Sequence, residues 1–495
     1  MLTRLKVTGF KNLIDVDVRF GAFTCIAGAN GVGKSNLFDA IKFLSALADR
    51  PLTEAALSVR DEGGRTSDLR NLFHRVGDNH DDQMSFEVEM IVPREGVDDL
   101  GQKADASINF LRYKVTLAYR SDEGFHSLGR IELIKEELSH IKRGEASKHL
   151  LFPHDVRHWR KSVLMGERRV PFFISTEGEG DNRIIKLHQD GGSSGRPLPR
   201  SATNLPRTVL SVANAAESPT AFLARSEMRS WRLLQLEPSS LWKPDEFSSP
   251  TKLDTDGSHL AATLYHLARL KGQMNGTEQA GAAKQVYGRV ANRLAELIRD
   301  VHEIWVERDE KREILTLQVK SQDNTVHSAR ALSDGTLRVL ALTVLELDSE
   351  GQGVLCLEEP ENGVHPERIP FMLRLLQDIA TDVRYPIDEN NPLRQVIINT
   401  HSPAVVGQVP DDSLLLAETK EMVQDHSRFN RVCFSGLPDT WRTKLPGVDT
   451  VSRGTLLSYL NPIEPGLPSI PSEKKQNRRV VDRPDLQPYL SGWST

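Results

Sequence analysis

The sequence predicts an α/β fold, and two stretches of the chain carry that prediction. Near the start, the apolar run FTCIA at residues 23–27 leads into GANGVGKSN at 28–36, after which apolar residues recur at helical spacing. Between residues 332 and 410, LRVLALTVLEL and PERIPFMLRLLQDIA have helical periodicity, whereas GVLCLE and RQVIIN are typical of buried strands. This alternation of helix and buried strand favours an α/β architecture.

Composition and charge restrict the class of protein. The chain has 495 residues, of which 38% are hydrophobic and 26% charged, and this is ordinary for a soluble protein of two to four domains. Its formal net charge of −5 means that nucleic acid would have to be met by a local basic patch. Three isolated cysteines, Cys25, Cys356 and Cys433, indicate a reducing, cytoplasmic setting. We expect neither secretion nor a membrane span, because the start lacks a long apolar segment and no run reaches eighteen apolar residues.

The remaining elements follow from their periodicity. Alternating apolar residues at 14–20 predict a strand that pairs with RLKVTGF in an opening hairpin, and similar alternation at 86–90 and 113–119 predicts antiparallel strands. Residues 176–218 are rich in Gly, Ser, Pro and Asn, which predicts an irregular loop or hinge. A helical stretch follows at about 219–300. From about Asn461, several prolines and the run EKKQNRR predict a poorly ordered tail.

The segment GANGVGKS has the spacing of a phosphate-binding loop. Gly28, Gly33, Lys34 and Ser35 satisfy G-x-x-x-x-G-K-S between a strand and a helix, which is the structural context that this motif requires. In such a loop, backbone N–H groups surround the phosphates, the lysine reaches the β and γ phosphates, and the serine hydroxyl binds Mg²⁺. The alternative is a chance glycine-rich turn, which the flanking strand and helix disfavour.

Two adjacent carboxylates end the apolar strand GVLCLE. On its own, such a pair is usually a solvated strand end. In a chain that also carries a phosphate loop, Glu358 is a candidate metal ligand, and Glu359 is a candidate base that orients or deprotonates the attacking water.

Two further polar segments lie at the borders of predicted elements. LSDGT, residues 332–336, opens an apolar helix, so Ser333 is a natural N-cap and the helix start is an anion site. His401 follows the buried strand RQVIIN, at the end of the strand where ligands bind in α/β sheets. A structural role is the alternative for each residue.

The order of these motifs resembles that of the ATP-binding-cassette ATPases. More narrowly, FKNLIDVDVRF with GANGVGKSN, LEEPENGVHP and NTHSP are similar to the RecF and SMC-like branch, and to compact AAA-family ATPases related to the ATPase part of overcoming-lysogenisation proteins. The resemblance is strong over residues 1–48 and 331–410. It implies a P-loop NTPase of the ABC-ATPase head type, with an antiparallel β-subdomain and an inserted helical subdomain.

The resemblance also implies roles for individual residues. It makes Glu358 the metal position beside Ser35, Glu359 the catalytic base, residues 361–364 the D-loop, and His401 the sensor of the γ-phosphate. Ser333 and Gly335 would contact ATP bound to an opposite subunit, so the implied enzyme is an ATPase that uses ATP and Mg²⁺ as a head-to-tail homodimer. The implied nucleotide-binding residues are Gly28, Asn30, Gly31, Gly33, Lys34, Ser35, Asn36, Ser333 and Gly335.

Some residues depart from the family pattern, and for others the sequence leaves two interpretations. The signature is commonly LSGGQ, and Asp334 and Thr336 replace two of its residues, which puts transporter-type coupling in doubt. Glu358 stands where Asp is usual, so water could bridge it to Mg²⁺. Gln83 and Gln235 are both candidates for the Q-loop glutamine. For Lys11 the alternatives are an approach to the nucleotide or an ordinary exposed lysine.

The resemblance and the composition together divide the chain into five parts. We expect residues 1–48 to form the first part of the ATPase head, 49–175 an antiparallel β-rich insertion, and 176–330 a loop with a helical subdomain. Residues 331–435 would complete the head, and 436–495 would form a C-terminal extension with the tail.

The resemblance suggests DNA-related work in anti-phage defence or repair. The best basic segment for holding a DNA backbone contains Lys142, Arg143, Lys148, Arg157, Arg160, Lys161, Arg168 and Arg169, with Trp159 among them; Arg478 and Arg479 are weaker candidates. After Pro410 the acidic residues Asp411, Asp412, Glu418 and Glu421 form no DxD pair, so we expect no nuclease in this chain and a separate effector protein as the output. The alternative function is a nucleotide-gated scaffold that controls that effector through the middle insertion. A transporter subunit is disfavoured.

Overall fold

The structure is a computed structural model of the chain. It describes residues 1–59, 68–77, 79–121, 129–190, 198–202, 205–274, 279–296, 301–348, 351, 353–424, 427–444, 449–460 and 483.

The strands follow one another along the chain. They are β1 (Leu2–Phe10), β2 (Leu13–Arg19), β3 (Phe23–Ala27), β4 (Arg75–Val76), β5 (Asn79–His80), β6 (Gln83–Ile91), β7 (Glu95–Val97), β8 (Lys103–Asp105), β9 (Phe110–Arg120), β10 (Arg130–His140), β11 (Phe172–Glu177), β12 (Ile184–Leu187), β13 (Leu198–Ser201), β14 (Arg232–Leu234), β15 (Asp245–Glu246), β16 (Val301–Asp309), β17 (Ile314–Ser321), β18 (Val326–Ser328), β19 (Gly353–Glu358), β20 (Arg394–Thr400), β21 (Leu414–Gln424) and β22 (Ser427–Gly436).

The described α-helices are divided equally between the two halves of the chain. They are α1 (Lys34–Leu47), α2 (Leu52–Leu57), α3 (Ala146–His149), α4 (Trp159–Val163), α5 (Pro219–Arg229), α6 (Pro238–Leu241), α7 (Leu260–Met274), α8 (Gln279–Ala295), α9 (Asp334–Leu347), α10 (Ile369–Ile379), α11 (Pro403–Val406) and α12 (Arg453–Leu460). None of these described helices combines the length and the apolar character needed to cross a bilayer.

A six-stranded sheet in the order β14-β19-β20-β3-β21-β22 forms the centre of the molecule. Its first five strands are parallel, and β22 runs antiparallel to β21. Strand β3 is buried along its whole length, as its unbroken apolar pattern predicts. Alternate residues of β3 face different layers: Ile26 packs with α1 and the other large sheet, and Cys25 packs with α9 and α10. The predicted α/β class is thereby confirmed.

An eight-stranded antiparallel sheet covers α1 on its other side, in the order β13-β12-β11-β10-β9-β6-β1-β2. The predicted opening hairpin is present, with Val7 opposite Val16. Phe43 of α1 packs between Phe10 and Phe86 of the sheet, at ring-centroid distances of 5.9 and 5.6 Å. Helix α1 is therefore held between two sheets, and its first residue Lys34 is placed at the end of β3.

A smaller lobe contains α7, α8 and a four-stranded sheet, in which β17 lies between β15 and β16 and also pairs with β18. Strand β18 leads through residues 329–331 into α9. The lobe packs on α9 through an apolar core that includes Leu264, Val290 and Leu340. It thus connects directly to the segment LSDGT.

Two predictions about local structure need correction, and several strands were not predicted. Residues 176–218 are not simply a loop: β12 and β13 extend the eight-stranded sheet to Ser201, although 191–197 and 203–204 lie outside the described residues. Lys11 is not an ordinary exposed lysine, because its side chain is 15% exposed and pairs with Asp39 of α1 at 2.9 Å. Strands β14 to β18, in the part expected to be loop and helix, and strands β21 and β22 were not predicted. Apart from Arg483, the tail from residue 461, with Arg478 and Arg479, lies outside the described residues.

Candidate nucleotide site

The carboxyl ends of the parallel strands bring the predicted motifs to one edge of the central sheet. Gly28 follows β3, His401 follows β20, Glu358 ends β19, and Gln235 follows β14. Ligands bind at this edge in open α/β sheets. Strand β20 lies between β3 and β19, so the carboxylate pair emerges two strands from the phosphate loop and not directly beside it.

The phosphate loop closes on its own lysine. Lys34 Nζ donates to the carbonyl oxygens of Gly28, at 2.7 Å, and Ala29, at 2.8 Å. Gly33 has a φ of 104°, a conformation that favours glycine, and a Cβ at this position would lie 2.1 Å from Asn12 Nδ2 and displace that side chain. Asn12 Nδ2 in turn donates to the carbonyl of Val32 at 3.2 Å. The loop between β1 and β2 therefore supports the phosphate loop from outside.

Burial and nearby carboxylates act on Lys34 in opposite directions. Burial lowers the pKa of Lys34 below its ordinary value, and the charges of Glu359, Glu361 and Glu358 oppose that shift only in part. A buried cation next to acidic side chains is well placed to exchange its carbonyl partners for phosphate oxygens, because phosphate carries more negative charge than a carbonyl.

Glu359 is held by a set of hydrogen bonds that fixes its carboxylate. His401 Nδ1 donates to Oε1 at 2.7 Å, and Asn362 Nδ2 donates to Oε2 at 2.9 Å. Its backbone N–H is shared between Asn399 O at 3.0 Å and Asn399 Oδ1 at 3.1 Å. Glu359 also has a φ of 44°, a left-handed conformation that is uncommon outside glycine and that concentrates at functional sites.

The same contacts keep Glu359 ionised. Burial by itself would raise the pKa of Glu359, but the hydrogen bonds from Asn362 and His401 and the surrounding positive charge hold that pKa below its ordinary value. The carboxylate is therefore negative at neutral pH, the state that a general base requires.

Glu358 and Gln235 meet across the site. Gln235 Nε2 lies 3.5 Å from Glu358 Oε2, whereas Gln83 begins β6 in the other large sheet. Between the two candidates for the Q-loop, the structure thus brings Gln235 to the carboxylate pair. The signal for this choice was the pair of leucines directly before Gln235, which belongs to β14.

One cavity of about 690 Å³ joins these groups. From the predicted set, it is lined by Asn30, Gly31, Gly33, Lys34, Ser35, Asn36, Glu358 and Glu359. Ser333 and Gly335 do not line it. They begin α9, where the Ser333 side chain accepts from Thr336 N at 3.3 Å, which confirms the predicted N-cap. A Cβ on Gly335 would lie 2.2 Å from the carbonyl oxygen of Gly363, so the start of α9 packs closely on residues 361–364.

The oxygen donors at this cavity fit Mg²⁺. The Ser35 hydroxyl and the Glu358 carboxylate line the same space, and oxygen ligands are those that Mg²⁺ prefers. Over the described ranges, no three His, Cys, Asp or Glu side chains gather into a metal-binding group. Mg²⁺ commonly uses one or two carboxylates together with substrate phosphates, so a site with few protein ligands suits a metal that arrives with its nucleotide.

Sequence reasoning missed several polar residues of the site. Asn12 and Asn399 position backbone segments, Asn362 holds Glu359, and Arg338 Nη1 donates to the carbonyl of Asn362 at 2.6 Å. Arg338 also lines the cavity. A single sequence gives little indication that these residues belong to the site, since isolated Asn and Arg residues are common on protein surfaces.

A C-terminal contact to the phosphate loop was also missed. Tyr459 of α12 donates a long hydrogen bond of 3.5 Å to the carbonyl of Gly28, the same oxygen that Lys34 contacts. Burial raises the pKa of the Tyr459 phenol, so it stays a donor at neutral pH. Leu456 and Leu460 of the same helix are buried in the core beneath α11. Helix α12 therefore fixes a second donor on the carbonyl oxygen that Lys34 contacts.

We expect Tyr459→Phe to weaken nucleotide binding about fivefold, since one hydrogen bond contributes about 1 kcal/mol. We expect Lys34 to move from the Gly28 carbonyl oxygen to a phosphate when nucleotide binds. In the parent, that oxygen then still accepts a hydrogen bond from Tyr459, whereas in the variant it has neither donor. Titration with a fluorescent ATP analogue measures the affinity. Tyr287→Phe is the matched control, because the Tyr287 phenol is also largely buried and bonds the backbone of Val306 on another lobe. Equal affinities in Tyr459→Phe and the control would rule out this role.

The basic segment at 142–169 is only partly a surface. Trp159 is fully buried and packs on Phe152 at 5.6 Å, so it is not available to stack on a base. Arg168 lies 4.0 Å over the Phe173 ring and donates to backbone carbonyls, which also removes it from the exposed set. The exposed members are Lys142, Arg143, Lys148, Arg157, Lys161 and Arg169.

The chain matches one family model and several solved structures. A family model described as "AAA domain, putative AbiEii toxin, Type IV TA system" matches residues 23–101 and 175–407, which is more than half of the chain. Among curated protein sequences, none matches this chain.

Solved structures similar to the chain include three SMC heads. A crystal structure of the Smc head bound to the C-winged helix domain of ScpA is 13% identical, with a TM-score of 0.46, and the match covers 90% of this chain and 99% of that one. An Smc head with an extended coiled coil, bound to the C-terminal domain of ScpA derived from Pyrococcus furiosus, is 12% identical, with a TM-score of 0.42 and coverage of 88% and 96%. The SMC head domain from Thermotoga maritima is 12% identical, with a TM-score of 0.36 and coverage of 88% and 98%.

The fold is that of a P-loop NTPase, with an antiparallel β-subdomain and an inserted lobe of two helices and a four-stranded sheet, where a helical subdomain was expected. The phosphate loop after β3 and the carboxylate pair after β19 both fall within the residues that the family model matches. The chain therefore belongs to the AAA domain family described as "AAA domain, putative AbiEii toxin, Type IV TA system".

Proposed function

We propose that the protein hydrolyses Mg-ATP at a site completed by a second copy of the chain. The observation that carries this proposal is the Glu359 carboxylate, which His401 and Asn362 hold in place at the cavity that Lys34 also lines. A fixed, ionised carboxylate opposite a phosphate-binding lysine is suited to orienting water against a γ-phosphate.

Each residue of the phosphate loop and the carboxylate pair has a distinct task in this proposal. Lys34 leaves its carbonyl partners for the β and γ phosphates, and the N–H groups at the start of α1 hold the phosphate chain. Ser35 and Glu358 hold Mg²⁺, which when bound neutralises charge on the phosphates. Gln235 contacts Glu358 and senses that occupancy. Glu359 orients the attacking water and accepts its proton, while His401 keeps the carboxylate directed at the cavity.

The second copy is proposed because the site lacks two of the predicted nucleotide ligands. Ser333 and Gly335 begin α9 outside the cavity of their own chain. In a head-to-tail dimer, the N-terminus of α9 would bring N–H groups and the Ser333 hydroxyl to the phosphates bound by the other chain. Such a dimer would contain two ATP molecules.

We propose that the chain is related to the ATPase part of overcoming-lysogenisation proteins, and that its ATP hydrolysis serves DNA-related work in defence or repair. Exposed basic residues between Lys142 and Arg169 are the candidate DNA surface. The alternative is a scaffold that controls a separate effector. One observation favours it: the hairpin of β7 and β8 exposes Val97 and Leu100, by 60% and 85%, on the middle insertion. Exposed apolar side chains of this kind suit a protein partner.

Steady-state ATP hydrolysis, with and without linear double-stranded DNA at two salt concentrations, tests the proposal. We expect Mg²⁺-dependent turnover. DNA stimulation that falls with salt would favour the DNA role, because phosphate contacts weaken as salt rises. Turnover that ignores DNA would favour the effector scaffold. Absence of both ATP binding and turnover in folded protein would refute the proposal.

A further inference from the structure

A second cleft lies on the small lobe, remote from the nucleotide cavity. It has a volume of about 330 Å³ and lies between the segment after β15, helix α7 and strands β16 and β17. It shares no lining residue with the cavity at the phosphate loop. Nothing in the ATPase chemistry uses this cleft.

Two arginines converge in the cleft on a single oxygen. Arg269 Nη1 donates to the Tyr265 hydroxyl at 2.9 Å, and Arg308 Nη1 donates to the same oxygen at 3.4 Å. Two guanidinium groups that share one hydroxyl partner repel each other, and Glu310, which pairs with Arg308, offsets only part of that repulsion. An anion bound between the two arginines would offset it further.

The charges of the side chains around the two arginines are compatible with the binding of an anion. No Asp or Glu is among the described residues that line the cleft, and His266 lines it beside the two arginines. Glu310, which does not line the cleft, pairs with Arg308 through two contacts, at 3.0 and 3.4 Å, and so neutralises part of its charge. In a chain with a net charge of −5, this is a local basic site. The fixed fork of N–H groups on a guanidinium matches phosphate geometry.

Aromatic rings lie beside both guanidinium groups. Arg308 lies 4.6 Å over the ring of Phe247, and Arg269 lies 5.5 Å over the ring of Tyr265. Phe247 is 36% exposed, so part of this residue is open to solvent beside Arg308. Aromatic and guanidinium planes stack on nucleobases without regard to their sequence.

We propose that this cleft binds a phosphate group attached to a flat nucleobase, with Arg269 and Arg308 on the phosphate and Phe247 on the base. A free nucleotide and a nucleotide unit of a single strand share this chemistry, and the experiment distinguishes them. Strand β17 also pairs with β18, which leads into the start of α9 at Ser333. A ligand on this lobe would therefore bias the position of the signature segment, and this last link rests on the proposed ATPase function.

Binding is measured on the full chain in a Lys34→Ala background, so that nucleotide bound at the phosphate loop does not contribute to the signal. Two probes are used. Calorimetry measures the binding of AMP, and fluorescence anisotropy measures the binding of a fluorescent single-stranded oligothymidine. We expect Arg269→Ala and Arg308→Ala each to weaken binding about tenfold, as the loss of a charge-assisted hydrogen bond implies. Arg308→Lys should restore only part of the affinity, because lysine keeps the charge but not the fork.

Arg312→Ala is the matched control. Arg312 is 78% exposed, follows β16 on the same lobe and does not line the cleft. Binding of AMP alone identifies a free nucleotide as the ligand, and binding of the oligonucleotide alone, or of both, identifies the strand. Binding of neither probe, or an equal loss in Arg312→Ala, overturns the proposal. Mg²⁺-dependent ATP turnover is measured separately on the parent with Lys34 intact, so a failure of the cleft to bind either probe leaves the ATPase function standing.

Discussion

Glu359→Gln is expected to lower ATP turnover by about 100-fold or more while leaving ATP affinity within a few-fold of the parent. Glutamine keeps the shape of the side chain and its contact with Asn362, but it can neither accept the proton of water nor carry the negative charge that His401 stabilises. Phosphoryl transfer depends mainly on positioning and electrostatics, so loss of the charged group that orients water affects the chemical step.

The variant should also accumulate as an ATP-bound dimer, because binding persists and hydrolysis does not. Light scattering after gel filtration with ATP measures the dimer, and phosphate release measures turnover. Glu237→Gln is the matched control, since Glu237 lines the same cavity and loses the same charge without a bond to His401. Parent-like turnover in Glu359→Gln, or an equal fall in Glu237→Gln, would refute the assignment of the base.

The pH profile of turnover provides a second readout for Glu359. The pKa of this carboxylate is held below its ordinary value, so the base is available above that pKa and is lost as the pH falls through it. We therefore expect turnover to persist at mildly acidic pH, down to below the ordinary pKa of glutamate, about 4.3.

Glu89→Gln is expected to destabilise the folded protein by about 3–5 kcal/mol, the usual effect of removing one partner from a buried ionic network. The Glu89 side chain is fully buried in the eight-stranded sheet. It accepts hydrogen bonds from Arg4, Arg19, Arg112 and His149, at 3.2, 3.4, 2.9 and 2.9 Å. An amide in its place leaves the three guanidinium groups without their shared buried anion.

The midpoint of urea unfolding measures this loss. Asp15→Asn is the control, because the Asp15 side chain is 63% exposed, lies 3.8 Å from Lys6, and should contribute less than about 1 kcal/mol. Equal midpoints for the parent and Glu89→Gln would contradict the expectation.

The same network predicts a dependence of stability on acid. Burial raises the pKa of Glu89, but hydrogen bonds and charges from His149, Arg19 and Arg112 outweigh that effect and lower the pKa to about 2. A lowered pKa means that the stabilisation is complete above the ordinary pKa of glutamate. It is then lost progressively as the pH falls from about 4.3 towards 2. The difference between parent and Glu89→Gln should shrink over the same range.

Local pattern predicted the elements that carry the site. The buried β3, the helix that begins at Lys34, the N-cap at Ser333 and the strand before His401 are all present. Each of them is set by neighbours within a few residues of the chain, through hydrophobic periodicity, glycine conformation and capping. Patterns failed where such signals conflict: Gly, Ser and Pro between 176 and 218 hid two short strands at the end of a sheet.

The sequence by itself determined that this chain contains a phosphate loop on a strand–loop–helix unit, and it supplied the carboxylate pair, the signature segment and the strand-end histidine in order. Only the tertiary structure decided that Gln235 and not Gln83 reaches Glu358, that Asn362 and His401 hold Glu359, and that Trp159 is buried. The physical reason is the range of the interactions. Periodicity and capping act within one element, whereas these contacts depend on strand order and join residues far apart in the chain, as in the 42-residue separation of Glu359 from His401.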